Sequence, residues 1–260
     1  MVTAAGGNGI WHPFKPENAV WYRWRLNGAA AYLRKDRDSW RIAFKTIPLR
    51  DLDDGIGGPE AEEPPEDLPI IRAWGTGEKV FLHPYLCDKP YVLSMGEKLR
   101  IAPGQHCRFT VALPPILRFE LEREKVLAEE MPFTLSKTFF GQDTMHGIIC
   151  HSLPAFLGDA AAAERTTSLI HCDVVITNKT KTVLEPERIE IDPAPLNVYA
   201  HDDRLVTDLL EIDFLEADCR LRIGKVGGRN RRLVSAGVKH GAGESLARRS
   251  MDIIKNITEI

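Results

Sequence analysis

Most of what would disclose a function is missing from these 260 residues. The five cysteines, at 87, 107, 150, 172 and 219, are odd in number and form no Cys-x-x-Cys pair. That spacing excludes a disulfide framework and a zinc ribbon, and it is what a reduced, cytoplasmic protein is expected to show. No run approaches the ~20 apolar residues of a membrane helix, so no membrane span is expected. The opening MVTAAGGNGIWHPFKPEN has neither the basic head nor the apolar stretch of a signal peptide. Charge of one sign is not in excess: 34 Lys and Arg stand against 37 Asp and Glu, a formal net charge of −3, which does not point to nucleic acid as a partner. No glycine-lysine-serine/threonine loop precedes a helical pattern, and no cofactor is expected.

What is present is β patterning. In Val20 to Leu26 (VWYRWRL), Val20, Tyr22, Trp24 and Leu26 share one face while Arg23 and Arg25 share the other, the alternation of a half-buried strand. Asn27-Gly28 follows, a pair that accepts the positive φ angles of a tight hairpin. Ala29 to Lys35 and Trp40 to Ile47 complete a predicted three-stranded meander. Short strand patterns resume at Pro69 to Trp74 and continue through Leu113, broken by glycine-containing turns, until Pro114-Pro115 stops the ladder. The charged stretch Glu120 to Glu130 reads as a hairpin tip or connector. Further strands are expected at Ile148 to Leu153, Thr167 to Thr177, Val183 to Ile191, Leu196 to Tyr199, Leu205 to Phe214 and Cys219 to Ile223.

Two segments depart from this pattern. Asp51 to Pro69 carries eight acidic residues, four prolines and three glycines with no Lys or Arg, and is expected to be a solvated loop. From Asp218 to Ile260 there are ten Lys or Arg against four Asp or Glu. Within that tail, Glu244 to Ile257 places Leu246, Ser250, Ile253, Ile254 and Ile257 at helical spacing. The expected fold is therefore all-β: two sandwich-like lobes, 18–131 (with the acidic loop 51–69) and 132–223, followed by a basic, Gly-rich segment and an amphipathic helix over 224–260.

Four sets of residues could carry chemistry. Cys150-His151 and His171-Cys172 are mirrored; if their strands paired antiparallel, like would oppose like, and such ligands would suit zinc. Adjacent strand residues point to opposite faces, so two buried cysteines and two ordinary histidines are the alternative. The stretch Ser136 to Gln142 offers Lys137, Phe139 and Gly141 to a ligand, or else Phe139 or Phe140 as a plug between sheets. Tyr199, His201 and Asp202 mix phenol, imidazole and carboxylate in a predicted loop, suited to proton transfer or simply to turning the chain. Arg229, Arg231 and Arg232 in GGRNRR could clasp phosphates, form a solvated basic turn, or dock on the acidic loop.

Several stretches together, WRLNGAAAYLRKDRDSWRIAF, APGQHCRFTVALPPILRFEL, LSKTFFG and HCDVVITNKTKTVLEPERIEIDPAPLNVYAHDD, resemble a prokaryotic domain-of-unknown-function family, number four hundred and thirty-two. The resemblance spans roughly Ala19 to Phe214 and implies a soluble prokaryotic protein, with no activity or ligand to transfer. The expected role is a non-catalytic binding or assembly module, with an unknown protein partner or self-association through the C-terminal helix. The alternatives are a metal-dependent hydrolase using the Cys/His residues near 150 and 171, and a phospholigand or nucleic-acid binder using the basic tail.

Overall fold

The computed structural model describes residues 10–53, 55–95, 99–122, 125–140, 148–154, 167–201, 204–216, 219–224 and 231–238. The expected helix over 244–257 lies outside them. Among the described residues the protein is all-β apart from one 3-10 turn at Leu49–Asp51.

In chain order the strands are β1 (Trp21–Leu26), β2 (Ala29–Asp36), β3 (Ser39–Lys45), β4 (Ile47–Pro48), β5 (Ile56–Ala61), β6 (Ile71–Trp74) and β7 (Val80–Tyr85). There follow β8 (Tyr91–Ser94), β9 (His106–Leu113), β10 (Ile116–Leu121), β11 (Lys125–Glu130), β12 (Phe133–Thr134), β13 (Lys137–Phe140) and β14 (Ile148–Pro154). The last are β15 (Ile170–Asn178), β16 (Arg188–Ile191), β17 (Val198–His201), β18 (Arg204–Thr207), β19 (Leu209–Phe214), β20 (Cys219–Gly224) and β21 (Arg232–Ser235).

The meander forms as its residues require. Asn27 and Gly28 take φ of 49° and 94° at the β1–β2 turn, where β-branched residues would be strained. The Asn27 side chain also reaches far along the chain: its Oδ1 accepts from Ser168 N at 2.8 Å and its Nδ2 donates to Asp53 O at 2.9 Å. Two more strands extend the meander to the order β5-β1-β2-β3-β6.

The strand β5 corrects the expected acidic loop. Ile56–Ala61 pairs antiparallel with β1, and Glu60 and Glu62 form ion pairs with Arg25 and Arg23. The acidic, Pro-rich composition suggested a segment unable to order itself. Carboxylates that reach the two β1 arginines diagonally, Glu60 to Arg25 and Glu62 to Arg23, give it a partner.

The core lies between sheets. Trp24 of β1 meets Phe119 of β10 edge-on at 5.2 Å, and Phe44 of β3 lies 5.9 Å from the same ring, joining the five-stranded sheet to a three-stranded sheet ordered β11-β10-β7. Arrangements of this kind add to the large burial that aromatic side chains already contribute. The charged stretch 120–130 is the hairpin expected of it: β10 and β11 pair antiparallel on either side of residues 122–124.

Strand pairing crosses residues 131/132, the expected boundary between lobes. The four-stranded sheet β13-β14-β8-β16 seats β8 between two strands from later in the chain, parallel to β14 and antiparallel to β16. Likewise β9 pairs with β15 along eight positions. One apolar cluster runs from Ile10 through Leu82 and Leu113 to Leu210 and Cys219.

The largest sheet has the order β20-β19-β15-β18-β17-β21, with β9 also on β15. Residues 205 to 214, expected as one strand, form two. Both β18 and β19 run parallel to β15 at successive positions, and the chain breaks step between them at Asp208.

Candidate functional site

The break at Asp208 organises the polar outer face of the seven-stranded sheet. On β15 the residues alternate strictly, with Ile170, Cys172, Val174 and Ile176 in the core and His171, Asp173, Val175 and Thr177 on the outer side. Register carries the outer row across neighbouring strands. His171 stands opposite Val206, Val206 opposite Tyr199, and Tyr199 opposite Leu233.

Asp208 is buried and fully engaged. Its Oδ2 accepts from Asn197 N at 3.1 Å and from Asn197 Nδ2 at 2.7 Å, and its Oδ1 accepts from Tyr199 Oη at 3.1 Å. Burial pushes the Tyr199 phenol above its ordinary range, and the charge of Asp208 adds to that. On the other side, Asp173 accepts from Arg108 Nη2 at 2.5 Å and from Thr110 Oγ1 at 2.6 Å. Burial alone would raise its pKa, but these hydrogen bonds and the Arg108 charge hold the carboxyl below the usual range.

The positive charge of Arg231 is felt at both centres, where it favours the ionised forms of Asp173 and Tyr199. Neither centre bonds to it. Arg231 Nε and Nη1 are shut off from water and have no hydrogen-bond partner. Buried donors are almost always paired, and leaving one unpaired costs on the order of 1–3 kcal/mol. An acceptor that entered here would find two unused donors, beside an Asp173 already ion-paired with Arg108 and an Asp208 whose oxygens are taken up by neutral donors.

Of the residues nominated from sequence, this face gathers His171, Tyr199, His201 and Arg231. Arg232 turns the other way, where its Nη2 donates to Trp11 O at 2.7 Å. Asp202, Arg229 and Gly141 lie outside the described residues. Lys137 and Phe139 sit on β13 in the four-stranded sheet, where Phe139 is exposed. It is Phe140 that inserts, packing with Val92 and Cys150.

The antiparallel pairing imagined for Cys150-His151 and His171-Cys172 is not what forms. Both edges of β14 are occupied, by β13 and β8, while β15 lies in another sheet. His151 faces Lys137 and Tyr91 in register. Burial, helped by Lys89 and Lys137, keeps His151 below its ordinary pKa. Burial drives the Cys172 thiol up to about 12, so it behaves as a small core side chain. Among the described residues no three His, Cys, Asp or Glu side chains come together as a metal-ligand group.

A second polar cluster went unnoticed in the sequence. On β7 and β10, Arg118 stands opposite His83, and Glu120 opposite Phe81, away from the core face that carries Val80, Leu82, Leu117 and Phe119. Glu120 accepts from Tyr85 Oη at 2.9 Å, lies 3.5 Å from Arg118 Nη1, and lies 3.7 Å from His83 Nε2, beyond hydrogen-bond reach. The Arg118 guanidinium covers the Tyr85 ring at 4.1 Å and also pairs with Glu129 at 2.8 Å. Burial raises Tyr85 to about 12, with Glu120 adding to the effect. Burial also lowers His83, against the opposing pull of Glu120. The available signal was the alternation His83/Tyr85 and Arg118/Glu120 on strands whose other face is apolar.

The described residues thus define an all-β protein of stacked antiparallel and mixed sheets with polar clusters on its sheet faces. The chain belongs to the family described as Protein of unknown function (DUF432), whose model matches residues 10–225. That agrees with the resemblance seen in the sequence. No curated protein and no solved structure matches. Among the described residues no helix is long and apolar enough to cross a membrane.

Proposed function

We propose that this protein is a non-catalytic binding module that takes a small anionic ligand, a carboxylate or phosphate, on the outer face of its seven-stranded sheet. One observation carries this: two guanidinium donors of Arg231 are buried and unpartnered beside a phenol and two carboxylates that are already committed elsewhere. Arg108 offsets the charge of Asp173, and Asn197 and Tyr199 occupy the oxygens of Asp208, so neither carboxylate is left to claim the Arg231 donors. None of the five cysteines is in a disulfide, which accords with a reduced, cytoplasmic setting.

The test is thermal denaturation of the full chain with inorganic phosphate or citrate, at constant ionic strength. A ligand that binds only the folded state raises Tm as its concentration passes Kd. The expected result is a rise that saturates for the wild-type chain and disappears in Arg231→Ala. Equal stabilisation of both chains, or none of either, would sink the proposal.

A further inference from the structure

The outer face of the five-stranded sheet carries a charge pattern that folding alone does not favour. Register places Arg34 of β2 directly opposite Arg41 of β3, and Arg41 directly opposite Arg72 of β6. Like charges in directly opposed positions destabilise a sheet. Asp36 relieves two of the three, with Arg34 Nε at 2.8 Å and Arg41 Nε at 2.7 Å. Among the described residues no carboxylate forms an ion pair with Arg72.

In the next row, Ser39 stands opposite Trp74, a residue 72% exposed. The chain has five tryptophans, and Trp11, Trp21, Trp24 and Trp40 are all buried. Large exposed aromatics beside an uncompensated arginine are a common composition of interface centres.

We propose that this face, at β3 and β6, is an interaction surface for an extended acidic peptide segment of a partner protein, with carboxylates on Arg41 and Arg72 and an apolar residue on Trp74. At the sheet's opposite edge, arginines of β1 already take carboxylates of an extended segment: Glu60 of β5, and Glu62 just beyond it, meet Arg25 and Arg23. A polyphosphate chain fits less well: the exposed Glu63, Glu66 and Asp67 on the approach to β6 oppose any anion alike, but only a peptide brings an apolar side chain to Trp74. Arg41, Arg72 and Trp74 share one side of the sheet by register, so the sheet face is the surface offered.

Trp74 supplies the readout. The full chain is titrated with a short peptide alternating valine and glutamate, a matching peptide of valine and lysine, and a short oligothymidylate. Tryptophan emission and its quenching by iodide are followed. The expected result is a saturable change with the glutamate peptide that weakens with added salt, shows an apparent Kd several-fold higher in Arg72→Ala, and is partly restored in Arg72→Lys. The fluorescence change should vanish in Trp74→Phe, while all variants keep the wild-type circular dichroism spectrum. Absence of binding to the glutamate peptide at millimolar concentration overturns the proposal. So does binding indifferent to Arg72→Ala, or tighter binding to oligothymidylate.

Discussion

Replacing Glu120 by glutamine would test how far one buried carboxylate organises the β7–β10 face. The Glu120 side chain is 9% exposed and has Tyr85, Arg118 and His83 around it. Glutamine keeps the volume and one acceptor for Tyr85 Oη, but removes the charge that Arg118 and His83 face. Arg118 retains Glu129 and is partly solvated, so its share of the loss is small. A hydrogen bond to a charged group is worth about 1.5–3 kcal/mol net, and keeping part of it leaves an expected loss of about 1–2 kcal/mol. Over a chain of this length that corresponds to a Tm drop of ~2–8 °C. Glu120→Ala, which also strands the phenol and the guanidinium, should cost more, about 3–5 kcal/mol. Urea denaturation gives these differences directly. A cycle with Tyr85→Phe should show a coupling of at least ~0.5 kcal/mol. Removing the carboxylate should also lower the His83 pKa further, a shift visible in its imidazole resonances. A Glu120→Gln chain within ~0.5 kcal/mol of wild type, with an unmoved His83 titration, would refute the reasoning.

Two more predictions follow from burial and pairing. Acid should destabilise the fold through His83 and His151: burial lowers both, so the unfolded chain takes up protons first. Stability is then full above about pH 6.5, falls as pH drops through that value, and levels off below the lower folded pKa values. Around His83 the charged neighbours are Glu120 and Arg118 on β10 and Arg232 on β21. Urea midpoints should therefore fall between about pH 7.5 and pH 5.5, and less steeply in His83→Gln; an unchanged slope would remove His83 from the account. A fragment ending at residue 131 should fail to behave as an independent lobe, because β8 and β9 would lose β14, β16 and β15. Light scattering should show aggregation at exposed strand edges, and a monomeric fragment with a cooperative melt would show that the two lobes fold separately.

The local half of this fold was legible because it is written in neighbouring residues. Alternation in VWYRWRL, the Asn27-Gly28 turn and the alternation from Ile170 to Asn178 each follow from geometry within a few residues. Which distant strand pairs with which is not so written. Cys150-His151 and His171-Cys172 looked like partners because their order is mirrored, yet β8 and β13 hold β14 instead. Tyr91 to Leu93 is buried on both faces, so its pattern carried no face to match. The acidic strand was hidden by composition, although Glu60 and Glu62 alternate in step with Arg23 and Arg25. At the candidate site, Tyr199, His171 and Arg231 were each suspected for their side chains. Asp208 gives no local signal, because residues 205 to 214 read as one strand and only the parallel pairing of β18 and β19 with distant β15 reveals the break there.

The placing of β8 has a consequence for how the chain can acquire its structure during synthesis. Tyr91–Ser94 is made early, but both of its hydrogen-bonded neighbours, Ile148–Pro154 and Arg188–Ile191, emerge from the ribosome much later. β9 waits similarly for Ile170–Asn178. The meander of residues 21–45 can close on its own as it is translated. The middle of the protein must keep two strands unmated until most of the chain exists, a delay that long-range pairing imposes on folding.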